Sequence, residues 1–353
     1  MLCRELYNAA IEERTTAWKK CGVSVGRWEQ DAQLKHIRRI RPEFGELDSQ
    51  VLSNVIRRVA LAFDAFFRRV KAGERPGYPR FRGQGSFDSV TYRQHSGWKL
   101  EGRHITFRFI GRVRLHLSRP LEGTVKTVTL KRDRCGDWWV VFSCDDIAIR
   151  PLPDTDRAVG VDLGLTAFIA TSDGETVQHP RAYRTAERRL SRAQRKRAKM
   201  RRGGSRYRAH QRTVAAIQRK AARIRRDHHF KTALDVVRRY GLIAVEDLNV
   251  AGLARTHLAK SATDAGWGQF IDTLRFKAES AGRAFVVVDP RGTSQVCSGC
   301  GCEPAERKTL AVRIHNCPDC GLVLDRDVNA ARNILTRGRA ALAASRPASK
   351  AAA

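Results

Sequence analysis

Residues 157–177 read RAVGVDLGLTAFIATSDGETV. VGVDLGLT, residues 159–166, has the composition of a buried strand carrying a single acid, Asp162. Gly164 then supplies a turn, and a second strand closes on the turn Asp173–Gly174. An acid in the middle of an apolar strand is out of place, because an unpaired buried charge is expensive. A bound cation would supply the missing counter-charge.

The same anomaly recurs downstream. GLIAVED, residues 241–247, is a short apolar strand closing on Glu246, preceded by the helical pattern TALDVVRRY. FIDTLRFKAESAGRAFVVVDP, residues 270–290, repeats the order helix then strand, as a parallel α/β sheet requires. DVNAARNI, residues 327–334, opens a last helix on Asp327, with Asp325 two residues before it. Each acid has an ordinary use. Asp325 or Asp327 could be an N-cap, Asp162 could cap a turn, and Glu246 or Asp247 could end an exposed strand. The conjunction says more: two magnesium ions held about 4 Å apart need oxygen ligands from several elements, so acids distant in sequence must converge.

Between the second and third acids lie Cys297 and Cys300 in CSGC and Cys317 and Cys320 in CPDC, separated by residues 301–316. Two knuckles at this separation suit one tetrahedral, structural Zn²⁺, with Gly299, Gly301 and Gly321 easing the tight turns. A reduced thiol cluster or redox pair would use the same residue type, but two matched knuckles favour zinc. Cys302 is a badly spaced fifth thiol, and Cys3, Cys21, Cys135 and Cys144 read as ordinary thiols.

The chain has 353 residues, enough for two or three domains. Its 67 Lys and Arg against 36 Asp and Glu give a net charge of +31, a self-repulsion that a polyanion would relieve. Nucleic acid is the expected partner. No run of about 18 to 20 apolar residues marks a membrane span, no export signal is evident, and the setting is expected to be cytoplasmic and nucleoid-associated. Residues 181–226 are dominated by Arg and Lys and split at Gly203–Ser205, which predicts a helical hairpin facing phosphates. Arg188, Arg192, Arg195, Lys196, Arg197, Arg201 and Arg202 are its candidate contacts.

The N-terminal stretch has apolar residues at three- and four-residue spacing and predicts about three amphipathic helices. GERPGYPRFRGQGSF, residues 73–87, breaks the pattern as a linker. From Val90 to Asp145 the period shifts towards two, predicting an antiparallel sheet or small barrel. Arg108, Arg112 and Arg114 would share its wet face, opposite Phe107, Phe109, Val113 and Leu115. Trp98, Trp138, Trp139 and Trp267 are expected to pack in cores.

Taken together, GVDLGLTAFIATSDG (160–174), IAVEDLNVAGLA (243–254), TSQVCSGCG (293–301), CPDCG (317–321) and DRDVNAARNIL (325–335) resemble the TnpB proteins, also called OrfB. These are insertion-sequence-encoded, RNA-guided nucleases related to type V CRISPR effectors. The resemblance spans roughly Gly73 to Thr336. It implies a multidomain α+β chain: a helical recognition domain at 1–72, a wedge-like β-barrel at 73–150, and an RNase H-like (RuvC) α/β nuclease domain. That domain would begin with 151–290, including the Arg-rich hairpin at 181–240, be interrupted by a zinc ribbon at 291–323, and finish with a helix at 324–338. A disordered tail is expected at 339–353. By motif, Asp162, Glu246 and Asp327 match the three RuvC acids, Asp327 being preferred to Asp325 because the family ligand stands two residues before the Asn of DxNAA, here Asn329. Family members begin with a β-strand ahead of the first helix, whereas this chain starts inside that helix at Leu2, so the barrel is expected to lack an edge strand.

The activity so implied is RNA-guided DNA cleavage, dependent on two Mg²⁺ ions, by a monomer carrying one guide RNA and engaging target DNA, with one structural Zn²⁺. The alternatives are a DNA transposase, which would join strands, and a nuclease-inactive RNA-guided repressor. A non-catalytic zinc-ribbon RNA-binding protein would tolerate loss of the acids.

Overall fold

The computed structural model describes residues 1–345 apart from Gln94, Ala254, His257, Ala305, Arg307 and Leu310. Two compact units divide it, Met1–Ala148 and Ile149–Ala353.

The first unit begins with helices α1 (Leu2–Cys21), α2 (Arg27–Ile40) and α3 (Ser49–Lys71). In α3, Val51, Leu52, Val55, Ile56, Val59 and Phe63 recur at helical spacing and are buried, and Asp48 accepts the amide of Gln50 as the N-cap. Strands β1 (Ser89–Tyr92), β2 (Trp98–Glu101), β3 (His104–Phe107), β4 (Gly111–Arg114), β5 (Thr124–Arg132) and β6 (Trp138–Asp145) follow. They pair as two antiparallel three-stranded sheets, β1-β5-β6 and β2-β3-β4, in place of the single sheet or barrel expected. The apolar face of each sheet has to be buried against another element. Here Tyr92, Ile105, Phe107 and Val128 join Leu6, Ile11, Leu52 and Ile56 in one core, so the expected helical and β domains share a single interior.

Two local expectations for this unit are corrected. The stretch containing Arg108 bends into a hairpin between β3 and β4, where Phe109 takes a left-handed φ of 68° and is exposed. Arg108 therefore sits in the turn, while Arg112 and Arg114 stand exposed on β4. Trp98 is buried, but Trp138 is 62% and Trp139 44% exposed, with the Arg132 guanidinium over the Trp138 ring.

The second unit is built on a five-stranded sheet of β7 (Ala158–Asp162), β8 (Ile169–Thr171), β9 (Thr176–Val177), β10 (Leu242–Glu246) and β11 (Ala284–Val288), in the order β11-β10-β7-β8-β9. Strands β11, β10 and β7 are parallel; β8 pairs antiparallel with β7, and β9 antiparallel with β8. The crossover from β9 to β10 contains α4 (Ala182–Ala198) and α5 (Ser205–Arg239), about 52 Å long at 1.5 Å per residue. The helix predicted at TALDVVRRY is the end of α5, without a break. Helices α6 (Val250–Leu253), α7 (Ala259–Ala265) and α8 (Trp267–Ser280) lead to β11, and Trp267 is buried as expected. The hairpin β12 (Ile314–Asn316) and β13 (Val323–Asp325) precedes α9 (Arg326–Ser345). Helix α9 runs past the expected end at 338 and takes in the start of the expected tail; residues 346–353 lie outside the described residues. No helix among the described residues is long and apolar enough to cross a membrane.

Candidate functional site

Asp162 ends β7 and Glu246 ends β10, two parallel neighbours. Val161 pairs with Val245, so the acids that follow share one face at the carboxyl ends of their strands, the place where open α/β sheets bind ligands.

Gly160 explains how the third acid arrives. A Cβ built there would fall 1.9 Å from the Ala331 carbonyl oxygen, so α9 lies on the bare backbone of β7. Two residues along the strand from Gly160, on the same face, is Asp162; one turn back along α9 from Ala331 is Asp327. The two spans are nearly equal, about 6.6 Å for the strand and 6 Å for the helix, so contact at glycine sets Asp327 near Asp162. A Cβ on Gly164 would lie 3.5 Å from Asp327 Oδ2.

The electrostatics record the convergence. Burial, followed by the charges of Glu246 and Asp327, pushes Asp162 well above the usual carboxylate range, with Arg326 and Arg313 pulling it back. Burial raises Glu246 as well, opposed by a hydrogen bond from Thr293 Oγ1 and by Arg337. Asp327 meets the guanidinium of Arg313. Asp325 has another occupation: its Oδ1 accepts the amides of Asp327 at 2.8 Å and Val328 at 3.3 Å, capping α9.

The carboxylates do not crowd into one coordination sphere. Among the described residues, the one group whose ligand atoms all lie within 4.8 Å of one another is Cys297, Cys300, Cys317 and Cys320. A hard cation that keeps its waters, as magnesium does, needs only one or two carboxylates directly, so acids spaced in this way about Asp162 fit such a cation. The cysteines are more tightly drawn. Sγ atoms of Cys297 and Cys320, and of Cys300 and Cys317, are 3.6 Å apart, close to the roughly 3.8 Å edge of a tetrahedron with 2.3 Å zinc–sulfur bonds. The knuckles match: the amides of Gly301 and Gly321 donate to the carbonyls of Cys297 and Cys317, both glycines having positive φ. Cys302 stands outside the set, its Sγ directed to the Glu303 carbonyl.

The candidate nucleic-acid contacts lie on α4 and the turn after it. Arg188, Arg192, Arg195, Lys196, Arg201 and Arg202 are exposed, whereas Arg197 is half-buried with its guanidinium over the Tyr207 ring. Leu190 and Ala193 pack on Val214 and Ile217 of α5 and turn the charged face outward. Sequence reasoning singled out neither Thr293 nor Arg313, which hold Glu246 and Asp327. TSQVC was read for its cysteine, and a lone arginine in so basic a chain carries no signal.

Sheet order, acids and cysteines together describe a mixed α/β, multidomain protein with three acids at the ends of β7 and β10 and the start of α9, and a four-cysteine cluster that could hold a metal ion. The chain belongs to the TnpB (OrfB) family, as its relatives show. A family model described as "Probable transposase" matches residues 140–257, and one described as "Cas12f1-like, TNB domain" matches 267–334. The "Putative RNA-guided DNA endonuclease" of Streptomyces pristinaespiralis is 33% identical over 96% of this chain and 84% of its own length. The "Putative RNA-guided DNA endonuclease InsQ" of Escherichia coli K12 is 28% identical over 84% of this chain and 76% of its own. Among solved structures, the Cas12f1 chain of a Cas12f1–sgRNA–target DNA complex superposes with a TM-score of 0.57 at 15% identity, covering 94% of this chain and 80% of that one, a likeness of fold.

Proposed function

We propose that this chain is a transposon-encoded, RNA-guided DNA endonuclease that hydrolyses phosphodiester bonds at Asp162, Glu246 and Asp327 on a RuvC-like α/β domain. The observation that carries the reading is the placement of Asp162, Glu246 and Asp327 at the ends of β7, β10 and the start of α9, where α9 lies on Gly160 of β7 and the charges of Glu246 and Asp327 both act on Asp162. Asp162 and Glu246 would hold one Mg²⁺ and Asp162 and Asp327 a second; bound there, the ions would supply an acidified water and stabilise charge on the leaving 3′ oxygen. Asp162, on which the charges of both other acids act, would be the shared ligand. Cys297, Cys300, Cys317 and Cys320 would hold one structural Zn²⁺, its four positions closed by thiolates.

The exposed cations of α4 would grip phosphates without regard to sequence, leaving sequence to pairing between guide RNA and target DNA. The partners so named follow the relatives' names and the net charge of +31. The chain would act as a monomer with one RNA, in the cytoplasm at the nucleoid.

The test is to purify the protein with its co-expressed RNA, sequence that RNA, and assay cleavage of matching DNA with and without Mg²⁺. Asp162→Ala is expected to bind RNA and DNA normally but to lose cleavage on the order of 10³-fold or more, since removing one preorganised charge contact already costs about 10²–10³. Equal cutting by wild type and variant would overturn the site. Joined strands in place of plain breaks would favour a transposase.

A further inference from the structure

Thr293 lies just before the first cysteine knuckle and is 3% exposed. Its hydroxyl has one proton and two acceptors in reach, Glu246 Oε1 and, at 3.0 Å, the Pro290 carbonyl. The residue is itself held. Asn333 Nδ2 donates to the Thr293 carbonyl and to the Val296 carbonyl, both at 2.8 Å. One turn earlier on α9, the fully buried Asn329 spends both ends of its amide on the same segment: Nδ2 donates to the Val296 carbonyl at 2.8 Å, and Oδ1 accepts the Ser298 amide at 2.9 Å. Ser298 is inside the CSGC knuckle, and Asn329 is two residues from Asp327.

These bonds form a continuous path from the helix that carries Asp327, through the backbone of residues 293–298, to the carboxylate of Glu246. We propose that Thr293 is a positioning residue for Glu246, and that Asn329 and Asn333 lock it to α9 so that the second and third acids are set as a pair by the segment leading into the cysteine knuckle. This rests on the reading of the three acids as a divalent-cation site. A ligating glutamate with its several free torsions points usefully only when something holds its other lone pairs, and partners of this kind are worth roughly 10- to 100-fold in metal affinity. Thr293 Oγ1 leaves Oε2 of Glu246 for the cation. Asn329 is buried with both polar ends satisfied, which makes the clasp rigid and not merely close.

The experiment measures Mn²⁺ binding to the full-length protein by the loss of the free-ion signal in electron paramagnetic resonance, with bound zinc and thermal midpoint recorded for each variant. Thr293→Val keeps the branched shape and loses the hydroxyl; it is expected to weaken Mn²⁺ binding at least about tenfold. Thr293→Ser restores the hydroxyl and is expected to bind within about threefold of wild type, with zinc content unchanged in both. In the Glu246→Gln background the valine substitution should add nothing further, because the hydroxyl acts through Glu246. Wild-type binding by Thr293→Val, a serine variant as weak as the valine one, or additive loss in the double variant would each overturn the proposal. If Glu246→Gln itself binds Mn²⁺ as wild type does, the underlying metal reading fails instead. Should the valine variant lose its thermal transition, the serine variant and Asn329→Asp, which keeps one acceptor and loses the Nδ2 donor, carry the same comparison.

Discussion

The four thiolates and the three carboxylates stand at opposite limits of how a chain gathers ligands. Cys297 to Cys320 is a short stretch in which two identical knuckles bring every sulfur within 4.8 Å of the others. Asp162, Glu246 and Asp327 come from β7, β10 and α9, and what assembles them is the fold: parallel register, a glycine in the strand, a helix laid across it. The cysteine cluster is a local object that a metal would close. The carboxylate set is a global one, where the charges of Glu246 and Asp327 on Asp162 oppose the packing that unites them. Perturbing each should therefore have different consequences.

The largest effect is expected at the thiolates. A structural zinc contributes about 10–16 kcal/mol to folding of its own segment at neutral pH. Cys317→Ser should lose bound zinc and open residues 293–325 to proteolysis while the five-stranded sheet keeps its hydrogen-exchange protection. Loss of protection throughout the sheet would contradict a self-contained ribbon.

Next comes the contact that builds the carboxylate site. Gly160→Ala places a methyl group 1.9 Å from the Ala331 carbonyl, and backbone cannot yield as a flexible side chain does. A destabilisation of about 3 kcal/mol or more is expected, measured by urea unfolding, together with lost cleavage and intact zinc. Unchanged cleavage would mean that α9 need not touch β7 there.

A smaller effect follows from the buried acids. Asp162 and Glu246 both titrate above their ordinary values of 3.8 and 4.5 in the folded, metal-free chain. The folded state then binds more protons than the unfolded one, so stability is greatest below the unfolded values and falls as pH climbs through the raised ones. Without metal, the wild type should lose stability from about pH 4 upward more steeply than Asp162→Asn; Mg²⁺ should reverse the loss by binding the ionised form. Parallel profiles for the two proteins without metal would show that Asp162 bears no such burden.

What the sequence discloses follows the same division. The thiolate set is readable because its ligands are close in the chain and their spacing is itself the geometry. Asp162 and Glu246 stand out because apolar strands ending in acids break their own pattern. The long-range features are silent in the sequence. Nothing in Arg226–Thr232 announces that α5 continues, since what holds His228 and His229 is tertiary: bonds to the Gln178 and Ala265 carbonyls and packing against the Phe168 ring. Period-two strands do not say which neighbour they pair with, so their pattern predicts a sheet or small barrel where two sheets form. Trp138 and Trp139 look like core residues by type, yet Trp139 falls on the exposed face of β6, with Val141 and Ser143, and Trp138, of the opposite parity, is exposed at the strand's first position.

The smallest expected effect separates two aspartates that the sequence alone leaves equivalent. Asp325 caps α9 through the amides of Asp327 and Val328, a contact worth about 1 kcal/mol, so Asp325→Ala should lower stability by that much and leave cleavage within a few-fold of wild type. Asp327 sits in the first turn of α9, beside the helix dipole's positive end and the Arg313 guanidinium, and its charge acts on Asp162. Asp327→Ala should change stability little, because relief of repulsion on Asp162 offsets the lost contact with Arg313, while cleavage disappears. Urea unfolding and the DNA assay on the two variants give a crossed pattern, stability lost in one and activity in the other. If instead activity vanished with Asp325 and survived without Asp327, the cap and the ligand would have to exchange places, and the approach of α9 at Gly160 would no longer explain how the third acid reaches the site.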